Sequence, residues 1–133
     1  MSAGTPAIEV AQTGAPARRG GGRWDVAFDV RNAGGAPVEL LERWLPHGQF
    51  RAEPAPLTGS APLPPEGVAR LDVTVEFDEA PGGRVENGFV ILRVRWRGEE
   101  WRVLTRMSVT ADSDGAPQAS TDLTTAHPVG FSG

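Results

Sequence analysis

Acid–base or metal chemistry in this chain would have to run on two histidines, seventeen carboxylates and the serine and threonine hydroxyls, because its 133 residues include no cysteine, lysine or tyrosine. Thiolate catalysis, disulfides and cysteine-based zinc sites are thereby excluded. His47 lies in Trp44-Leu45-Pro46-His47-Gly48-Gln49-Phe50, where two aromatics, a histidine and a glycine share one apparent loop. Trp44, His47 and Phe50 are therefore candidate ligand-binding residues, with Glu42 or Glu53 as helpers. The same segment reads equally as a loop histidine beside two core-anchoring aromatics. A zinc or copper site takes three or four good ligands, and neither a cysteine nor a second histidine lies near. His127, followed by Pro128, reads as solvated. Ser60 and Ser108 lack a nucleophile-elbow pattern, and Gly20-Gly21-Gly22 lacks the lysine and helix of a phosphate-cradling loop. Asp78, Glu79 and Glu86 flank a glycine turn and could hold calcium weakly or simply solvate that turn. The expectation is no catalytic residue, no resident metal and no cofactor: a protein that binds rather than an enzyme.

The densest charge lies further along. Residues 89–97 and 101–110 alternate apolar and polar side chains, with Gly98-Glu99 between them. Glycine in the first central position suits a type II′ turn. The register that follows sets Arg97 opposite Glu100, Trp96 opposite Trp101, Arg95 opposite Arg102 and Val94 opposite Val103. Val90, Leu92, Val94, Trp96, Trp101, Val103 and Met107 then share a core face. The other face gathers Arg93, Arg95, Arg97, Arg102 and Arg106 with Ile91 and Leu104. Arg95 facing Arg102 is unfavourable unless an anion sits nearby, and Glu39 of a neighbouring strand could neutralise only one arginine. Two readings stay open. One is a solvated face whose arginine stems cover apolar neighbours. The other is a partner-binding face of Arg93, Arg95, Arg102, Arg106, Ile91 and Leu104, joined by exposed Leu41 and Leu45, since interfaces enrich arginine and large apolar side chains. The partner would be another copy of the chain or an acidic protein surface.

The elements that position these residues read as strands. In residues 23–31, Trp24, Val26, Phe28 and Val30 alternate with mostly polar residues, the period of a half-buried strand. Asn32-Ala33-Gly34-Gly35 then supplies turn chemistry. Residues 37–45 are too short between Pro37 and Pro46 for a typical helix. As a strand they turn Val38, Leu40 and Trp44 one way and Glu39, Leu41, Arg43 and Leu45 the other. Residues 49–53 form a short edge strand, and the proline-rich 54–66 a loop. In 67–78, Leu71, Val73, Val75 and Phe77 alternate with Asp72, Thr74 and Glu76. Residues 7–11 could add one more strand, and 12–22 read as a glycine-rich loop.

The resulting expectation is an all-β, immunoglobulin-like antiparallel sandwich of about seven strands, with turn signals between them and no helix. Residues 1–22 form an N-terminal strand and partly flexible glycine-rich loop, 23–110 the sandwich core, and 111–133 a flexible acidic tail with three acids and no base. A net charge of −4 does not suit nucleic-acid binding. No apolar run approaches the roughly 20 residues of a membrane span, and no basic region precedes an apolar core at the N-terminus. The expected setting is cytoplasmic, with neither nucleic acid nor membrane as partner.

The run Val30-Arg31-Asn32-Ala33-Gly34, after one alternating strand and before another, resembles the Val-x-Asn-x-Gly signature of bacterial immunoglobulin-like modules such as the CARDB family. The resemblance implies a seven-stranded sandwich and a binding or spacer role. It covers about five residues plus the strand pattern. Those modules sit in tandem within secreted proteins, whereas this chain carries a single unit and no evident signal. The function expected from these readings is a non-catalytic interaction module or small accessory subunit. The alternatives are a small-ligand-binding protein or enzyme with a pocket near Trp44, His47 and Phe50, and a structural spacer.

Overall fold

The computed structural model describes residues 4–57 and 61–129, and these contain strands and turns but no helix. Eight strands follow in chain order: β1 (Ile8–Gly20), β2 (Arg23–Asn32), β3 (Val38–His47), β4 (Phe50–Pro56), β5 (Val68–Glu76), β6 (Arg84–Trp96), β7 (Glu99–Ala111) and β8 (Pro117–Pro128). They form one antiparallel sheet in the order β1-β2-β5-β4-β3-β6-β7-β8, curled until it is nearly a barrel. The count is eight rather than seven.

Two seams keep the barrel from closing fully. Between β4 and β5 the ladder is reduced to one pair, Arg51 with Glu76. Between β1 and β8 side chains replace a ladder. The Gln12 carboxamide donates to the Pro117 carbonyl (2.9 Å) and accepts from the Ala119 amide (2.5 Å), bracketing Gln118 as a peptide group would. Thr121 adds a hydroxyl bond to the Val10 carbonyl (2.7 Å).

The alternation that identified the strands fills the interior. Phe28, Phe50 and Phe77 are fully buried and meet edge-to-face, Phe50 between the other two at 6.4 and 6.2 Å. Trp96 and Trp101 make a second such contact at 5.7 Å, the geometry their ring quadrupoles favour. Asn32 is the one fully buried side-chain amide among the described residues. Its side chain donates to the Ala36 (2.8 Å) and Leu63 (3.0 Å) carbonyls and accepts from the Gly34 amide (3.0 Å). The asparagine of the Val30–Gly34 run thus ties the end of β2 to the start of β3 and to the segment leading into β5.

Three readings of the sequence need correction. Residues 12–22 belong mostly to β1, not to a loop. Two irregularities, between Thr13 and Ala17 and between Arg18 and Gly20, let the strand stay paired with β2, and Gly21-Gly22 form the hairpin turn. Both have positive φ (66° and 74°), which a type I′ turn requires and glycine supplies without strain. Residues 117–128 are a strand, not a tail: β8 pairs with β7 from Ala111–Pro117 to Trp101–Pro128. Apart from the two flanking prolines and Leu123 its residues are small or polar, so no apolar alternation announces it, although its threonines suit a strand. Finally, the β6–β7 turn is Arg97-Gly98, both at positive φ (51° and 77°). Glu100 therefore faces Arg95, and Trp101 faces Val94.

Asp112 organises the β7–β8 turn. Its carboxylate accepts from the Ala116 and Asp114 amides (both 2.9 Å) and from the Gln118 side chain (3.0 Å). Those bonds, the Ala116 amide foremost, hold its pKa below the ordinary value. A carboxyl depressed in the fold stabilises it fully above its unfolded pKa and loses that contribution as pH falls through the folded one. Asp112→Ala is expected to lower the melting temperature at pH 7 and to leave a smaller further loss between pH 5 and 2 than the wild type shows. Parallel pH profiles in thermal melts would contradict this.

Candidate functional site

The outward face of β3, β6, β7 and β8 gathers the arginines singled out above with two exposed large apolar side chains, Trp44 and Leu123. The strand registers order it in rows. Glu39, Arg95 and Glu100 lie side by side across β3, β6 and β7; Glu42, Arg93, Arg102 and His127 form the next row, which reaches β8. Then Trp44, Ile91, Leu104 and Thr125 follow, and beyond them Phe89, Arg106 and Leu123. One end of the face is charged and the other largely apolar.

The charged end is mostly neutralised internally. Arg95 binds Glu39 (3.0 Å) and Glu100 (3.4 Å), while Arg93 binds Glu100 (3.0 Å) and Glu42 (3.7 Å). Moving the turn by one residue brings Glu100 opposite Arg95, which removes the expected Arg95–Arg102 repulsion. The like-charge pair is instead Arg93 and Arg102, offset by the acids on Arg93. Arg102 and Arg106 make no ion pair among the described residues.

The apolar end was misread on one strand. Val38 and Leu40 point inward as expected, but a bulge between Leu40 and Glu42 inverts the alternation. An extra residue in a strand passes every later side chain to the other face. Leu45 is therefore fully buried, and Trp44 stands outside at 40% exposure. Arg43, expected on the outer face, instead donates to the Glu53 carbonyl (2.7 Å), and its partial burial lowers its pKa. All six residues singled out for partner binding (Arg93, Arg95, Arg102, Arg106, Ile91 and Leu104) do share the outer face. Trp44, Phe89 and Leu123 belong with them and were missed.

Trp44, His47 and Phe50 do not converge. Trp44 faces out and Phe50 is in the core. His47, at the β3–β4 turn, accepts a bond from the Gln49 amide on its Nδ1 (3.0 Å). The cavities lie elsewhere. One of about 260 Å³ lies between Arg18, Trp24, Asp78 and Asp114, and an adjoining one of about 460 Å³ between Arg23, Gln49, Glu76 and Glu79. Asp78 and Glu79 line both, whereas Glu86 is away on β6, bonded to Arg84 and to Ser108 (3.3 Å). No group of three or more histidines or carboxylates among the described residues is placed to hold a metal ion. No helix among them is long and apolar enough to cross a membrane.

Set against known protein families and curated proteins, the sequence matches none.

Proposed function

We propose that the chain is a non-catalytic protein-interaction module that binds through the outer face of β3, β6 and β7. The observation that carries this reading is the aligned row of Trp44, Ile91 and Leu104 on the outside of the sheet, with Arg102 and Arg106 at its borders. A tryptophan is costly to leave in water. In that setting, beside unpaired guanidiniums, it has the composition of binding hot spots. The internally paired Arg93 and Arg95 serve as a polar rim, and the contact centres on the apolar end rather than on the arginine cluster as a whole.

A spacer would need no such row, and a pocket enzyme would need Trp44, His47 and Phe50 together. At the level of architecture, the pairing of β2 with β5, of β3 with β6 and of β6 with β7 supports an immunoglobulin-like arrangement enlarged by β8. Of the binding and spacer roles that the resemblance to CARDB-like modules implies, the apolar row favours binding.

The test is capture from native cell extract with immobilised protein. Trp44→Ser and Arg102→Glu, both at exposed positions, are expected to remove a specific band that the wild type and Arg19→Ser retain. Capture unchanged in both variants would refute the assignment.

A further inference from the structure

The sheet edges at the two seams are not alike. The outer edges of β1 and β8 cover each other through Gln12 and Thr121. The edge of β4 that faces β5 carries Pro54 and Pro56, residues that blunt an edge by removing donors. β5 has neither protection. It runs in unbroken register with β2 over nine residue pairs, without bulge or proline, and among the described residues its ladder on the other side is the single pair of Glu76 with Arg51. Because the Phe77 amide donates to Gly22 on the β2 side, strand alternation turns the amides of Val75, Val73, Leu71 and Ala69 toward β2. Those of Val68, Arg70, Asp72 and Thr74 are left on the open side. Val68 is 55% exposed. A hollow of about 360 Å³ separates residues 69–72 on this edge from Arg43, Pro56 and Leu57.

We propose that β5 pairs with β5 of a second copy, antiparallel about a two-fold axis at Leu71. The free span selects this register. Centred on Leu71, Val68 faces Thr74 and Arg70 faces Asp72, each twice by symmetry, so every open-side residue from 68 to 74 exchanges its hydrogen bonds. Opposite charges meet at both Arg70–Asp72 pairs. Moving the axis to Asp72 sets two carboxylates opposite each other and engages Glu76, which already bridges to Arg51. Moving it to Arg70 opposes two guanidiniums. Directly opposed like charges are destabilising. Within one copy Arg70 already binds Asp72 (3.0 Å), but that pair is on the surface and of little worth, so it exchanges readily for the cross-copy pairs. The dimer extends the β1-β2-β5 part of the sheet and leaves the outer face of β3, β6 and β7 free.

Sedimentation velocity over a range of concentrations, in low salt, decides it. The wild type is expected to dimerise. R70E puts a carboxylate opposite Asp72 of the second copy, and D72R a guanidinium opposite Arg70. Each alone is expected to weaken dimerisation by about tenfold or more. An equimolar mixture of R70E and D72R restores both attractive pairs and is expected to recover the dimer as a heterodimer, which also shows that both variants are folded. A wild type that stays monomeric overturns the proposal. So does a dimer that Trp44→Ser abolishes while R70E and D72R do not, or a mixture that stays apart.

Discussion

Asn32→Asp is expected to be the most damaging single-atom change in the protein, destabilising it by about 3–5 kcal/mol at neutral pH. The wild-type amide gives its two protons to the Ala36 and Leu63 carbonyls in a site with no solvent contact. A carboxylate there offers no proton and sets negative charge against two carbonyl oxygens. Asn32→Ala removes the same donors without adding charge; the Leu63 carbonyl keeps its bond from the Val38 amide, while the part-buried Ala36 carbonyl and Gly34 amide lose this partner, at about 1–3 kcal/mol. The two variants differ in their response to acid. The introduced carboxyl is harder to ionise in the fold than in the unfolded chain, so its penalty is fully present above its folded pKa and fades as pH falls. Denaturant melts at pH 7 and pH 4.5 are expected to show the gap between Asp and Ala variants narrowing in acid. A gap that stays constant would mean that the side chain reaches water.

Phe50→Ala should lower stability by about 3–5 kcal/mol, or the melting temperature by about 10–20 °C. The ring is fully buried and is the middle member of the Phe28–Phe50–Phe77 stack, so truncation deletes both edge-to-face contacts at once. It sits at the start of β4, one residue from the Arg51–Glu76 pair that alone joins β4 to β5. A cavity beside so weak a seam can partly collapse, which places the cost nearer the lower figure. Phe50→Leu keeps most of the volume and should cost less than half as much. Thermal unfolding of the three proteins checks the ordering. If Phe50→Ala matched the wild type, the aromatic core would have been misassigned.

The legible part of this fold was the part with apolar alternation. Residues 23–31, 67–78, 89–97 and 101–110 read as strands because one face of each is core. The inward and outward sets of the β6–β7 hairpin were also legible, although its register was not. The turn at Arg97-Gly98 rather than Gly98-Glu99 changes each partner by two residues, and a shift of two preserves the face. The bulge after Leu40 is a shift of one, so Trp44 and Leu45 exchanged sides and the tryptophan at the centre of the candidate site was taken for core. β8 was invisible for another reason. Its inward residues, among them Pro117, Ala119, Thr124 and Ala126, are small, because it closes a barrel whose interior β6 and β7 already fill. The acids that neutralise Arg93 and Arg95 depended on register, so Glu42 and Glu100 could not be paired with them beforehand.

The Gln12 clasp bears on how the chain reaches this structure. Its bonds to Pro117 and Ala119 span 105 and 107 residues, and the Thr121–Val10 bond spans 111. Hairpins such as β6–β7 and β7–β8 close loops of a few residues, whereas uniting the first strand with the last requires ordering nearly the whole polypeptide. Closure entropy places that union at the end of folding. With no backbone ladder to hold it, the same union is the first to part when the native protein breathes. Amide exchange should therefore run faster along the facing edges of β1 and β8 than within the continuous β6–β7 ladder, which makes Gln12 a latch on the seam between the chain's first and last strands.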